Sequence, residues 1–498
     1  MLSMLVALVL PPLLVHRMPP SEYSAWVLIL QCSSYINLLE LGLQTAIGKF
    51  VAEYDAAGDR ISSNRVLSSS FAILCMSATL GAITIAVVAW QVPLIFHQMP
   101  ASLIGEVRVG ILAVGLSTVF ALPFGAFLAV FTGLQQYGFP TVLALLSRGL
   151  SSASLVVLIL MHGSLVQLAL TLGAFNVLTA LAQFWGWKKY ASDRVDFHLL
   201  QAERKMAMQL ARYSGVLSVW MVATLFVSGL DILIVGHYDY KNTGYYGIAT
   251  SATNFMLVVI GGMFGPIVPA ISSLQAGWTA KQIGNLTIRA TRYCGLLLGL
   301  VGTLLVFGAY PLLKLWVGSD YAMHSALFLQ LLVVGNAIRQ LGNPYSLVVV
   351  AVGKQHLATI AAVSEALVNV TVSIWLVQRI GAAGVAIGTF TGAFVSVGLH
   401  VALSMRLTQP SISMSRWKFL MQGIFRPLLC VVPAVLLIPM WKKFEMLPVG
   451  IPWMILGAAA SLGIAWFVGL TGEERSTFRG KLSRLPGWPV TPMRGADS

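Results

Sequence analysis

Residues 108–133 read RVGILAVGLSTVFALPFGAFLAVFTG, and after Arg108 the stretch carries no charge at all. A helix needs about 20 mainly apolar residues to cross a hydrocarbon layer of about 30 Å. Barrel strands are shorter and alternate between polar and apolar residues, so this run reads as a membrane-spanning helix. The same criterion, carried outward in both directions, gives fourteen spans. They lie at roughly 1–15, 23–50, 66–90, 108–133, 139–161, 165–187, 214–236, 244–272, 293–317, 325–352, 357–378, 382–405, 417–440 and 448–470. The first is short, as expected if the chain starts a few residues downstream of a fuller helix. It lacks the charged n-region and cleavage site of a signal peptide.

Composition agrees. Of 498 residues, 57% are hydrophobic and 10% charged, and the mean hydropathy is +0.82. Soluble domains carry roughly 25% charged residues, so this chain has too few polar side chains to cover a soluble surface. A soluble enzyme is excluded, and so is disorder, which requires few apolar residues. The expected fold class is an all-α polytopic membrane protein with about 14 transmembrane helices.

The net charge of +14 in a soluble chain would point to nucleic acid. Here it is assigned to basic loops on the cytoplasmic side, and no nucleic-acid partner is expected. With each Lys or Arg assigned to its nearest loop, 21 fall after even-numbered spans or in the tail, and 7 after odd-numbered spans. Arg148, Arg339 and Arg426 lie inside spans. The threefold excess puts both termini in the cytoplasm. Cys32, Cys75, Cys294 and Cys430 sit singly in apolar runs, with no metal or redox spacing.

The two halves resemble each other. Tyr23 matches Tyr245, Gly42 matches Gly262, Pro123 matches Pro344 and Gly133 matches Gly353, all at offsets of 220–222. Six spans per repeat is an even number, so both repeats enter from the same side, about an axis along the membrane normal. The expected domains are a six-helix lobe at 1–187, a cytoplasmic linker at 188–213, a second six-helix lobe at 214–405, two further helices at 406–470, and a disordered cytoplasmic tail at 471–498. Within the linker, Leu199, Met206 and Leu210 share a helical face, with Arg204, Lys205 and Arg212 elsewhere. This fits either a helix lying on the inner leaflet or an ordinary solvated connector. Pro123 and Pro344 are expected to kink their helices, for function or only as packing irregularities.

A charge at the bilayer centre costs at least about 2.5–3.5 kcal/mol and normally faces a cavity or a partner. Glu40, Arg148, Asp231, Arg339 and Glu365 are such residues. Their neighbours form polar stripes at helical spacing: Asn37, Glu40 and Gln44; Asn336, Arg339 and Asn343; Arg148 with Ser151 and Ser152; Glu365 with Asn369; and, uncharged, Asn176, Thr179 and Gln183. These residues either form ion bridges that lock helices together, or they serve a substrate. On the second reading Arg148 and Arg339 clamp a phosphate, because guanidinium recognises it bidentately and stays charged when buried. Asn336, Asn343, Asn37 and Gln44 then line the substrate path, and Glu40, Asp231 and Glu365 couple an ion. Arg426 serves either a lipid lying against the bundle or a structural pair, and His400 is either a satisfied core residue or a proton relay. No Walker A motif and no metal-ligand spacing occurs. Neither cofactor nor metal is expected, and the outer loops are too short for a catalytic domain, so no enzyme is expected.

Several motifs resemble those of a known family. They are Met18-Pro19-Pro20-Ser21-Glu22-Tyr23-Ser24-Ala25-Trp26, then Leu38-Leu39-Glu40-Leu41-Gly42-Leu43, then Asp231-Ile232-Leu233-Ile234-Val235-Gly236 followed by Gly244-Tyr245-Tyr246-Gly247, and finally Gly353 with Gly381-Ala382-Ala383-Gly384-Val385-Ala386. Over nearly its whole length the chain resembles the bacterial O-antigen-type flippases of the multidrug/oligosaccharidyl-lipid/polysaccharide exporter superfamily. The resemblance implies fourteen helices in two six-helix lobes forming a V, with alternating access. It implies transfer of an undecaprenyl-diphosphate-linked oligosaccharide across the bacterial inner membrane for surface polysaccharide biosynthesis. The partners it implies are the lipid-linked glycan, membrane lipids, and a polysaccharide polymerase and chain-length regulator. A cationic cavity would be met by Arg148 and Arg339, and a lipid-tail groove by the last two helices with Arg426. A cation-coupled exporter of small molecules from the same superfamily is the alternative.

Overall fold

The computed structural model describes residues 2–40, 42–264, 278–433, 436, 450–472 and 474–476. Among the described residues the regular structure is all helix. The helices are α1 Leu2–Arg17, α2 Pro20–Ser34, α3 Leu43–Ala56, α4 Arg60–Ile95, α5 Ala101–Gly133, α6 Gly138–Leu160, α7 Leu165–Tyr190, α8 Arg204–Ser228, α9 Asp231–Tyr238, α10 Thr243–Phe264, α11 Ala280–Phe307, α12 Ala309–Val317, α13 Ser319–Ala351, α14 Gln355–Ile380, α15 Ala382–Leu399 and α16 Gly450–Ile464. Short helical turns fill 400–407 and 416–433.

Among the described residues, ten helical stretches are long and apolar enough to cross a membrane, and Leu8–Arg17 and Ile455–Gly469 are shorter apolar helices. Each of the fourteen expected spans falls mainly on helix over its described residues. The end of the eighth span, parts of the thirteenth, the start of the fourteenth and the tail from 477 onward lie outside the described residues. The chain is a multi-pass membrane protein.

Local chemistry sets the helix ends. Asp59 caps α4, its carboxylate accepting from the Ser62 amide at 2.9 Å and the Ser62 hydroxyl at 2.6 Å. Ser164 with Gln167 and Thr279 with Gln282 form capping boxes at α7 and α11, each satisfying backbone donors that a helix start leaves open.

Three spans expected to be continuous are broken, the ninth at Gly308 between α11 and α12. The second passes through a 3-10 stretch, Tyr35–Glu40, and then through Gly42 at φ 67°, a left-handed conformation that only glycine adopts without cost. The seventh breaks at 229–230, between α8 and α9. There the Gly229 carbonyl accepts from Gln31 Nε2 at 2.9 Å and from the Tyr35 hydroxyl. Irregular backbone at membrane depth persists where such partners satisfy it.

The linker does not turn its apolar helical face to the leaflet. Met206 and Leu210 are buried in a core with Leu43, Ile47, Leu74 and Phe127, so their shared face meets protein instead of lipid. Leu199 is exposed on a separate 3-10 turn. The connector is tied down by Glu203, whose amide donates to Ser69 Oγ at 3.0 Å and whose carboxylate lies 3.1 Å from Arg65. Asp196 N likewise donates to Asn64 at 2.7 Å.

The helices sharpen the internal repeat. α5 and α13 have 33 residues each and start 218 positions apart. α6 and α14 start 217 apart. α7 and the stretch Ala382–Leu407 have 26 residues each, and both their ends are 217 apart. Arg148 and Glu365 are each the eleventh residue of their helix. In this register Pro123 corresponds to Leu341, three residues short of Pro344, so the two prolines are not equivalent.

The chain divides into two compact units. Unit 1 comprises residues 1–255, 312–335 and 359–396; unit 2 comprises 256–311, 336–358 and 397–498. In unit 1, α5 packs along α4 and α7, and α15 presents Gly384, Gly388 and Gly392 to the backbone of α14. Small residues four apart let two helices approach closely where lipid offers no hydrophobic drive. In unit 2, Leu296 of α11 packs with Cys430, Ala465 and Leu470.

Candidate functional site

Unit 1 contains a polar cavity of about 410 Å³. The break in the second span builds its first wall. In a 3-10 stretch residues three apart eclipse one another, and Asn37 and Glu40 both line the cavity, followed by Gln44 at the start of α3. Gln44 reaches in across α5 at Gly125, where a Cβ would lie 2.6 Å from its amide nitrogen. Thr118, about two turns earlier on α5, also lines the space. α6 contributes Ser147, Arg148 and Ser151, and α7 contributes Phe175, Asn176, Thr179 and Gln183.

The lining thus holds one carboxylate, one guanidinium, four carboxamides and several hydroxyls. Asn176 Nδ2 donates to Ser117 Oγ at 3.1 Å and Thr118 Oγ1 at 3.3 Å, which fixes its carbonyl toward other donors. The Gln183 side-chain oxygen is buried with no hydrogen-bond partner among the described residues, so it can take a donor from a ligand. Carboxamides and hydroxyls both donate and accept, which matches hydroxyl-rich ligands, while the guanidinium matches phosphate.

Of the residues singled out in the sequence, Asn37, Glu40, Gln44 and Arg148 therefore meet in one cavity. Asp231 and Glu365 belong to unit 1 but do not line it. Asp231, at the first position of α9, is buried and accepts from Thr389 Oγ1 at 2.8 Å and the Tyr246 hydroxyl at 3.2 Å. Glu365 is buried on α14 one turn before Asn369, which accepts from the Ser373 hydroxyl at 3.0 Å.

Asn336, Arg339 and Asn343 belong to unit 2, where Arg339 donates to Asn336 Oδ1 at 2.8 Å. In the repeat register these three correspond to Thr118, Ala121 and Gly125, all of which line the unit 1 cavity. His400 corresponds in the same way to Gln183. It is buried beside Ser404, 3.3 Å away, and packs against the ring of Tyr345.

Arg426 donates to the carbonyls of Val468 at 2.7 Å and Leu470 at 3.3 Å, tying the thirteenth span to the end of the fourteenth. Nearby, Arg292 Nη1 bonds both oxygens of Glu474 at 3.0 and 2.9 Å, with both side chains buried. Sequence reading passed over this pair because Glu474 lies in the tail, 182 residues from Arg292. Burial pushes the Glu474 carboxyl up, but the Thr471 amide and hydroxyl and the Arg292 guanidinium together hold it below the ordinary range. An apolar cavity of about 670 Å³ adjoins, between α11 and the last helix, lined by Leu296, Leu300, Leu462 and Trp466, with Arg289 on its wall. Among the described residues no group of three or more His, Cys, Asp or Glu could hold a metal.

The inward closed conformation of the lipid II flippase MurJ superposes with a TM-score of 0.70 at 14% identity, covering 97% of this chain and 98% of that one. An inward-facing multidrug resistance MATE family transporter of the MOP superfamily gives 0.68 at 16% identity, over 83% and 96%. A MOP superfamily transporter from Pyrococcus furiosus, described by the reverse polarity of its binding pocket, gives 0.52 at 16%, over 83% and 93%. The fold is that of the MOP transporters. No protein-family model matches the sequence, and no curated protein does. In the MOP fold of this chain, the cavity residues come from the broken second span and from α5, α6 and α7.

Proposed function

We propose that this chain carries an undecaprenyl-diphosphate-linked oligosaccharide from the inner to the outer leaflet of the bacterial inner membrane, both termini remaining cytoplasmic. The observation that carries this reading is the unit 1 cavity, where the Arg148 guanidinium shares a lining with Asn37, Gln44, Asn176 and Gln183. Its volume is that of a small-ligand site, its amides suit sugar hydroxyls, and its one cation suits phosphate. Arg339, with Asn336 and Asn343, takes the corresponding part in the second repeat, and Glu40, Asp231 and Glu365 couple an ion.

The two six-helix lobes, 1–187 and 214–405, alternate access. The prenyl tail stays on the lipid side, flanked by the last two helices that Arg426 ties together. An inside-negative potential of 100 mV drives each headgroup charge outward with about 2.3 kcal/mol. A polysaccharide polymerase and chain-length regulator would consume the product.

The alternative, cation-coupled export of a small molecule, is favoured by Glu40, a carboxylate in the same cavity. The test is the Arg148→Ala/Arg339→Ala double variant in a strain that depends on this protein for surface glycan. Loss of glycan with normal membrane insertion is expected. Normal glycan together with lost drug resistance would select the exporter.

A further inference from the structure

The buried pair in unit 2 has the form of an anion site that the chain fills for itself. The Glu474 carboxylate receives Arg292 Nη1 on both oxygens and the Thr471 amide at 2.8 Å, and Arg289 Nε lies 3.7 Å from it. Arg292 is fixed from behind, its Nε donating to the Gln422 carbonyl at 3.0 Å. Two guanidinium groups and a backbone N–H converging on a pair of oxygens would hold a phosphate equally well.

The surroundings decide what kind of phosphate. Arg289 is 56% exposed and lines the wall of the 670 Å³ apolar cavity. That cavity continues along α11 past Tyr293 and Leu296 to Leu300, about 16 Å of helix rise. A free phosphate has no use for such a wall, whereas an acyl or prenyl chain does.

We infer that Arg289 and Arg292 form a binding site for the phosphate headgroup of an anionic membrane lipid, and that Glu474 is its built-in competitor. Displacement of Glu474 by the headgroup releases the segment that follows the last helix, so occupancy of the site is coupled to the C-terminus. The site is separate from the unit 1 cavity, and variants at Arg148 leave it intact.

The test uses the full-length protein in detergent and follows thermal stability against added dioctanoyl phosphatidate, dioctanoyl phosphatidylcholine or inorganic phosphate. Glu474→Gln keeps an oxygen to accept the Thr471 amide but removes the competing charge. This variant should half-saturate with phosphatidate at a concentration at least about tenfold below wild type, the weight of one charge-assisted hydrogen bond. Phosphatidylcholine and inorganic phosphate should not reproduce the effect, and adding Arg289→Gln should abolish it. Equal half-saturation in wild type and Glu474→Gln would mean that the pair only pins the last helix, and would overturn the inference. Equal response to phosphatidylcholine would make the site a tail groove without a headgroup, and equal response to inorganic phosphate would make it a free-anion site; either overturns it.

Discussion

Gly125→Ala tests the cavity through a single methyl group. A Cβ at this position would lie 2.6 Å from Gln44 Nε2, 3.4 Å from its Cδ and 3.9 Å from its Cγ. Only the end of the side chain is too close. Reaching an ordinary separation of about 3.5 Å takes a shift of roughly 0.9 Å, which a carboxamide terminus achieves by rotation. The helix itself gains, since alanine is favoured over glycine in a helix interior by about 0.8–1.0 kcal/mol. The variant should therefore keep its melting temperature while its Gln44 amide no longer meets the substrate. Losing one neutral hydrogen bond costs about 0.5–1.5 kcal/mol, a reduction of up to roughly tenfold in substrate affinity.

The assay is surface glycan export, or substrate binding to the purified protein, measured alongside thermal denaturation. Gly388→Ala is the control, because its Cβ would meet backbone atoms, Ser373 N at 2.8 Å and Asn369 O at 2.9 Å. Backbone cannot rotate away, so this variant should lose about 1–3 kcal/mol of stability by overpacking. Export unchanged in Gly125→Ala would refute the assignment of the cavity. Unfolding by Gly125→Ala but not by Gly388→Ala would refute the packing argument.

Three further outcomes follow from individual contacts. Thr389→Val removes a 2.8 Å hydrogen bond to buried Asp231 and should cost about 1–3 kcal/mol, seen as a lower melting temperature that Thr389→Ser restores. Arg426→Ala strips donors from the carbonyls of Val468 and Leu470. It should raise hydrogen exchange in 465–470, and unchanged exchange there would show that the contact holds nothing. The Glu474 carboxyl sits below its ordinary value in the folded protein, so the stability it contributes is complete above the unfolded value of about 4.3. It is lost as pH falls through the lowered folded value. The melting-temperature gap between wild type and Glu474→Gln should accordingly persist from pH 7 to 5 and close under stronger acid. A gap that is constant with pH would contradict the charged role.

Much of this molecule is legible without coordinates. A run such as 108–133 reads as a spanning helix, because it is too long and too continuously apolar for a barrel strand and a helix satisfies its own backbone within the bilayer. The polar stripes follow from helical period alone, and so did the grouping of Asn37, Glu40 and Gln44. Tertiary structure decided which stripes share a space. It placed Arg148 in one cavity with Glu40 and left Asp231 bound to Thr389 and Tyr246.

The breaks at 35–42 and 229–230 were hidden because their sequences are as apolar as the helices around them. What permits them is a partner from another helix, as Gln31 is for the Gly229 carbonyl. Met206 and Leu210 have the spacing of a leaflet-bound face, yet they bury against α3 and α4. Period shows that a face is apolar, but it does not show whether lipid or protein covers that face. The Arg292–Glu474 pair lay beyond any local pattern, since only folding brings residues 182 positions apart into contact.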